Sequence, residues 1–305
     1  MGNRARSRLS WSRTVGALLK GTLALAFASS AVAETPLERG RYLVESILGC
    51  GNCHTPKSPT GEPIMERNMA GGITVTAPPF SGMASNITPD RETGIGTWTD
   101  VEIERALVEG VRPGHGRLPN TPLAAVMPAS FFKALLPRDL NAIVAYLRSV
   151  KPVRNEIPTP VYRMPVRHDK YPPAESDFTE AMMTDPVKRG EYLVSIGHCM
   201  ECHSPREKGI SDYKRLGAGG RVFNAELVQG FPKDWPGAKA PNITSHPNSG
   251  LGRWSAEQIK RAITRGISRD GRKLQPPMAF AWYARMTETD LNAIVAYLRT
   301  VPPIE

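Results

Sequence analysis

Cysteine is scarce in this chain: there are four in 305 residues, all confined to two pentapeptides. None remains for a disulfide framework or a separate catalytic thiolate. Beyond the N-terminus no apolar run approaches the length of a bilayer span. Strand-like alternation is lacking, and no glycine-rich phosphate loop follows a strand. No paired carboxylates and no Ser/His/Asp constellation offer hydrolytic chemistry.

The single apolar stretch has the layout of an export signal. Arg4, Arg6, Arg8, Arg13 and Lys20 precede or enter it, Gly21 to Ala28 form its apolar part, and Ala31-Val32-Ala33 stands before Glu34. Cleavage after Ala33 is expected, placing the mature chain in the periplasm, with any membrane association coming through a partner. The rival reading is an uncleaved anchor from Val15 to Ala33, only 19 positions with Lys20 inside, marginal for a span. The formal charge is +10, and residues 1–33 contribute five Lys/Arg and no Asp/Glu. The remaining mild excess suits docking onto an acidic partner or a plain solvated surface; nothing else supports nucleic-acid binding.

What is present is a pentapeptide pattern used twice. Cys50-Gly51-Asn52-Cys53-His54 is answered 149 positions later by Cys199-Met200-Glu201-Cys202-His203. C-x-x-C-H is the attachment signature of c-type haem. Two thiols add to the haem vinyls as thioethers, and the adjacent histidine reaches the iron from the proximal side. A bare C-x-x-C also suits a zinc half-site or a redox dithiol. A histidine directly after the second cysteine, twice over, favours two covalently bound haem c groups. Cys50, Cys53, Cys199 and Cys202 are then the attachment points, with His54 and His203 as axial ligands. No spare cysteine exists to serve as a thiolate ligand to iron.

Internal repetition sets the expected architecture. Leu37-Glu38-Arg39-Gly40-Arg41-Tyr42-Leu43-Val44 answers Val187-Lys188-Arg189-Gly190-Glu191-Tyr192-Leu193-Val194, and the decamer from Asp139 to Arg148 recurs unchanged from Asp290 to Arg299. Asn86-Ile87-Thr88 and Trp98 are matched by Asn242-Ile243-Thr244 and Trp254. The expected organisation is a signal peptide over 1–33, one domain over 34–150, a proline-rich extended linker over 151–186, and a second domain over 187–305. Periodicity within each copy is helical, so the expected fold is all-α. Capping boxes at Thr35–Glu38, Thr99–Glu102 and Ser255–Gln258 open helices, the first expected to run into Cys50. Ile103, Ala106, Leu107 and Gly110, with Ile259, Ala262, Ile263 and Gly266, read as the apolar faces of the middle helices. Tyr42/Tyr146 and Tyr192/Tyr297 read as helix-crossing contacts within each copy.

Each copy resembles a class I cytochrome c domain: a helix leading to C-x-x-C-H, a middle helix, a methionine loop and a closing helix. The phrases from Asn86 to Asp100 and from Pro276 to Leu298 are similar to multihaem cytochrome c subunits of bacterial alcohol and aldehyde dehydrogenases. Those alcohol dehydrogenase subunits usually carry three attachment motifs, against two here. The resemblance implies two tandem class I cytochrome c domains.

The ligand opposite each histidine decides whether the iron shuttles electrons or binds a substrate. Applying the decamer offset of 151 to Met278 lands on Met127, and both lie in proline-flanked loops before the closing helix. The resemblance places the family's methionine ligand at these positions, making Met127 and Met278 the expected sixth ligands. Core filling is the bland alternative for any methionine. Met286 answers Leu135 and reads as core; Met69 and Met83 have no counterpart, and Met200 sits inside its motif. His115, His168, His198 and His246 lack histidine partners in the other copy, and His115 alone offers a conditional ligand. Trp98 and Trp254 are candidate haem-propionate donors, or simple packing residues. The paired Asn-x-Thr sites read as a structural turn.

These readings imply a dihaem electron carrier rather than an enzyme. Its electrons come from a periplasmic or membrane-associated dehydrogenase. They pass to an oxidase, a quinone-linked complex or another cytochrome, and so into the respiratory chain. The alternative is a dihaem peroxidase, which needs one haem able to lose its distal ligand.

Overall fold

All three capping boxes form where the sequence places them. In the computed structural model, which describes residues 1–2, 34–207 and 209–305, the Glu38 carboxylate accepts from the Thr35 amide at 2.9 Å and Thr35 Oγ1 accepts from the Glu38 amide at 3.2 Å. Thr99 with Glu102 and Ser255 with Gln258 repeat the exchange. The expected signal peptide lies outside the described residues. Among the described residues no helix is long and apolar enough to cross a membrane.

In the N-terminal half the helices are α1 (Pro36–Glu45), α2 (Cys50–His54), α3 (Asp100–Glu109), α4 (Ala129–Phe132) and α5 (Pro137–Ser149). The C-terminal half answers with α6 (Pro186–Ile196), α7 (Cys199–His203), α8 (Ala256–Arg265), α9 (Phe280–Tyr283) and α10 (Glu288–Leu298). The first helix does not run into Cys50 as expected. It stops at Glu45, and Gly49 at φ 55° turns the chain so that the motif forms its own short helix. His198 does the same at φ 43° before α7, a conformation unusual for a residue with a Cβ. Gly110 and Gly266 end α3 and α8 in the left-handed region, so they cap those helices rather than line their faces.

The repeated Arg-Gly pair has a steric reason. A Cβ on Gly40 would lie 1.9 Å from the Ala142 carbonyl oxygen, and one on Gly190 would lie 2.0 Å from that of Ala293. First and last helices of each half therefore cross with their backbones almost touching. Tyr146 and Tyr297 flank these crossings within their own halves, as expected.

The fold is mainly helical, as expected, with short strands that the sequence pattern did not show. Strands β1 (Thr74–Ala77), β2 (Phe80–Met83), β3 (Val161–Tyr162) and β7 (Val228–Gln229) build an antiparallel sheet in the order β3-β2-β1-β7. Two small ribbons pair β4 (Arg206–Glu207) with β5 (Ile210–Ser211), and β6 (Val222–Phe223) with β8 (Ala238–Lys239). The four-stranded sheet joins the halves: Val75 of the first pairs with Val228 of the second, while Ser81 pairs with Val161 from the proline-rich stretch.

That stretch is packed as well as extended. Ile157 is buried, and Tyr171 is wholly buried with its ring stacked on Phe131 at 4.2 Å between centroids. The Asn-x-Thr turns hold the chain that follows each closing helix. Asn86 Nδ2 donates to the Val153 carbonyl at 2.8 Å, and Asn242 Nδ2 donates to that of Ile304. Residues 34–305 thus form one compact unit with one continuous core.

Candidate haem-attachment site

Cys50, Cys53 and His54 occupy positions i, i+3 and i+4 of α2, and Cys199, Cys202 and His203 occupy those of α7. Helical spacing puts the three side chains of each set on one face. Each histidine is fixed by its backbone partner. His54 Nδ1 lies 2.7 Å from the Ser85 carbonyl oxygen, and His203 Nδ1 lies 2.8 Å from that of Pro241. A carbonyl can only accept, so Nδ1 carries the proton and Nε2 keeps its lone pair. Burial lowers both imidazole pKa values, more than the carbonyl bonds raise them, and keeps the rings neutral.

The thiols share that environment. Burial pushes Cys50, Cys199 and Cys202 up to about 12 and Cys53 to about 11. All four are free thiols rather than disulfides. Thiols held neutral in this way make poor redox dithiols. Two thiols plus one neutral, pre-oriented imidazole on a single helical face fit a covalent haem with one axial nitrogen.

Met127 and Met278 both sit half-buried against the core, each just before a four-residue helix, α4 or α9. Met69, Met200 and Met286 are core residues, the first two wholly buried. His115 is half-exposed on the surface, its Nε2 3.0 Å from Glu102 of α3. Trp98 and Trp254 hold matched places, their carbonyls accepting from Arg148 and Arg299 of the closing helices.

The structure also brings together residues that no local pattern connects. Asn52 in the first motif donates to the Pro277 carbonyl beside Met278, at 2.8 Å. Glu201 in the second motif and Met127 line one small cavity. Each motif thus lies against the methionine loop of the other half. A Cβ on Gly51 would meet the Trp282 indole nitrogen at 2.7 Å. Burial raises the Cys202 thiol most, with Glu201 adding to it and Arg221 opposing it. Glu201 itself would be pushed up by burial, but His198 and Arg221 hold it at about 2. Its counterpart Asn52 is neutral, so a fixed charge distinguishes the second motif.

Tyr42 and Tyr192 depart from the expected contacts within each copy. Tyr192 donates to Asp139 Oδ2 at 2.6 Å, and Tyr42 donates to Asp290 Oδ2 at 2.5 Å, each reaching into the other half. Arg39 grips Asp139 with two bonds of 2.9 and 2.8 Å, and Arg189 donates to Asp290 at 2.6 Å. The only sequence signal was the repetition itself, since both aspartates open the unchanged decamer.

Residues 187–302 match the family model of cytochrome c. The chain is 32% identical to the cytochrome c subunit of a quinone alcohol dehydrogenase from Gluconacetobacter polyoxogenes, covering 98% of this chain and 62% of that protein. It is 29% identical to the fructose dehydrogenase cytochrome subunit of Gluconobacter japonicus, over 87% of this chain and 52% of the relative. A diheme cytochrome c-type protein of Cereibacter sphaeroides is 28% identical over 84% of this chain and 83% of its own length. The chain therefore spans less than two thirds of the length of the dehydrogenase subunits it matches. Its C-terminal half is a cytochrome c domain, and the chain as a whole is a relative of dehydrogenase cytochrome c subunits.

Proposed function

We propose that the chain is a dihaem c-type cytochrome that carries electrons in the periplasm, exported by a signal peptide cleaved after Ala33. It comprises two tandem class I cytochrome c domains over 34–150 and 187–305, joined by the 151–186 segment. The supporting observation is the matched pair of histidines, each donating Nδ1–H to a carbonyl and leaving Nε2 free. Cys50 and Cys53 attach one haem c, and Cys199 and Cys202 the other. His54 and Met127 would hold the iron of one haem, and His203 and Met278 that of the other. When bound, the iron supplies one-electron oxidation and reduction. A histidine nitrogen and a methionine sulfur would hold each iron, and the thioether sulfur would favour its reduced state.

Asn52 of the first motif bonds the Pro277 carbonyl, and Glu201 of the second shares a cavity with Met127, an arrangement across the halves that suits a short relay. The donor is a periplasmic or membrane-associated dehydrogenase, in keeping with the relatives. The acceptor is an oxidase, a quinone-linked complex or another cytochrome. The peroxidase alternative needs a distal ligand that can leave, and its one candidate, His115, is engaged on the surface by Glu102. The test is the near-infrared methionine-to-ferric-iron band of the oxidised protein, expected at an intensity for two haems per chain. High-spin ferric iron in one half would contradict the assignment.

A further inference from the structure

We infer that the C-terminal half docks an acidic protein partner on a cationic face beside Met278, an inference that rests on the electron-carrier reading above. The face is made by Arg253, α8 and the loop over residues 266–275 that leads to Met278. Between Gly250 and Met278 the chain carries seven Lys/Arg and two Asp/Glu. The matching stretch of the N-terminal half, Gly94 to Met127, carries three Lys/Arg and four Asp/Glu. Two halves with the same fold plan thus present opposite charge at the same place.

Contacts make the cationic residues one patch. Arg269 lies over the Trp254 ring, with its guanidinium carbon 5.9 Å from the centroid, which brings the loop tip to Arg253. Arg261 donates to the carbonyl oxygens of Ser268 and Arg269, and Ile267 bridges to Lys273. Arg253, Arg265, Arg269, Arg272 and Lys273 are all exposed. Among the described residues none of these five forms an ion pair; Lys260, by contrast, is taken up by Glu257 and Glu288. In the N-terminal half the equivalent charges are spent internally: Arg105 pairs with Glu109, Arg117 with Glu156, and Asp100 with Arg148.

Five exposed cations outside any ion pair, with Asp270 the one carboxylate in their loop, leave the face net positive, and an acidic surface relieves their mutual repulsion while steering encounter. A protein is favoured over a lipid surface because the face offers nothing apolar to insert. The exposed large apolar residues include none between Arg253 and Met278, whereas Val101 and Val126 are exposed on the matching N-terminal face.

The test uses the haem-loaded full-length protein with ferricyanide as anionic oxidant, poly-L-glutamate as acidic chain, and phosphatidylglycerol vesicles. Arg253→Glu/Arg269→Glu/Arg272→Glu is compared with Arg105→Glu/Arg112→Glu/Arg117→Glu, the same charge change on the other half. For the wild type, ferricyanide oxidation should slow as salt rises, and poly-L-glutamate should bind and protect the reduced protein. The first variant should lose both effects, with its low-salt rate down about tenfold, and the second should keep them. Equal behaviour of the two variants would overturn the inference, as would wild-type binding to the vesicles but not to poly-L-glutamate. A protein lacking haem absorption would fail the carrier reading alone, since calorimetric titration with poly-L-glutamate still reads the face.

Discussion

Tyr192 donates its hydroxyl to Asp139, 53 positions earlier in the chain and in the opposite half, at 2.6 Å. Tyr42 and Asp290 repeat the contact in reverse at 2.5 Å, so two matched latches hold the halves together. Burial raises the pKa of both tyrosines, and the facing aspartates raise it further, so both hydroxyls stay protonated as donors. Tyr192→Phe should cost about 1–3 kcal/mol, because a buried carboxylate loses one of its donors. Tyr42→Phe should act in the same direction, and the double variant should loosen the contact between halves before either half unfolds. Denaturant midpoints, with proteolysis in the 151–186 segment, read both effects.

The latch also predicts a pH dependence. Burial alone would raise the Asp139 carboxyl, but Arg39 and Tyr192 together hold it below the usual aspartate range. A folded pKa below the unfolded one stabilises the fold above about pH 4, and that contribution is lost as pH falls through the folded value. Asp139→Asn should therefore lower stability at neutral pH and flatten the acid limb below about pH 4. Unfolding free energies measured across pH 2 to 7 check this; an unchanged acid slope would contradict it.

Gly40 and Gly190 should not tolerate alanine. The added methyl would press on a carbonyl oxygen of the crossing helix rather than on a movable side chain. Each substitution should cost about 3 kcal/mol, read from thermal or denaturant unfolding, with the larger disturbance in its own half.

Much of this was legible in the sequence because the rules involved are local. Capping boxes, attachment motifs and the paired methionine loops all depend on residues within a few positions of one another. The tyrosine latches and the pairing of Val75 with Val228 join segments far apart, and repetition alone does not say which copy a side chain reaches into. The β1 run Thr-Val-Thr-Ala is too short to register as alternation, and it becomes a strand only with β2 and β7 beside it. Proline density correctly ruled out an α-helix through the 151–186 stretch but hid the burial of Tyr171 between the halves. The break before each motif was readable at Gly49; at His198 no residue type announced it.

Replacing the axial methionines should separate the two centres. Met127→His should lower the reduction potential of the first haem and spare the second, and Met278→His should do the reverse. Potentiometric titration of each variant checks the assignment; a shift in the wrong half would reassign that loop.

Two covalent haems on one chain can be counted directly. Protein matured with a cytochrome c assembly system should retain two haems per polypeptide after acid–acetone extraction, quantified as the pyridine haemochrome. Cys199→Ala with Cys202→Ala should retain one. A wild type that retained one haem, or none, would contradict the account.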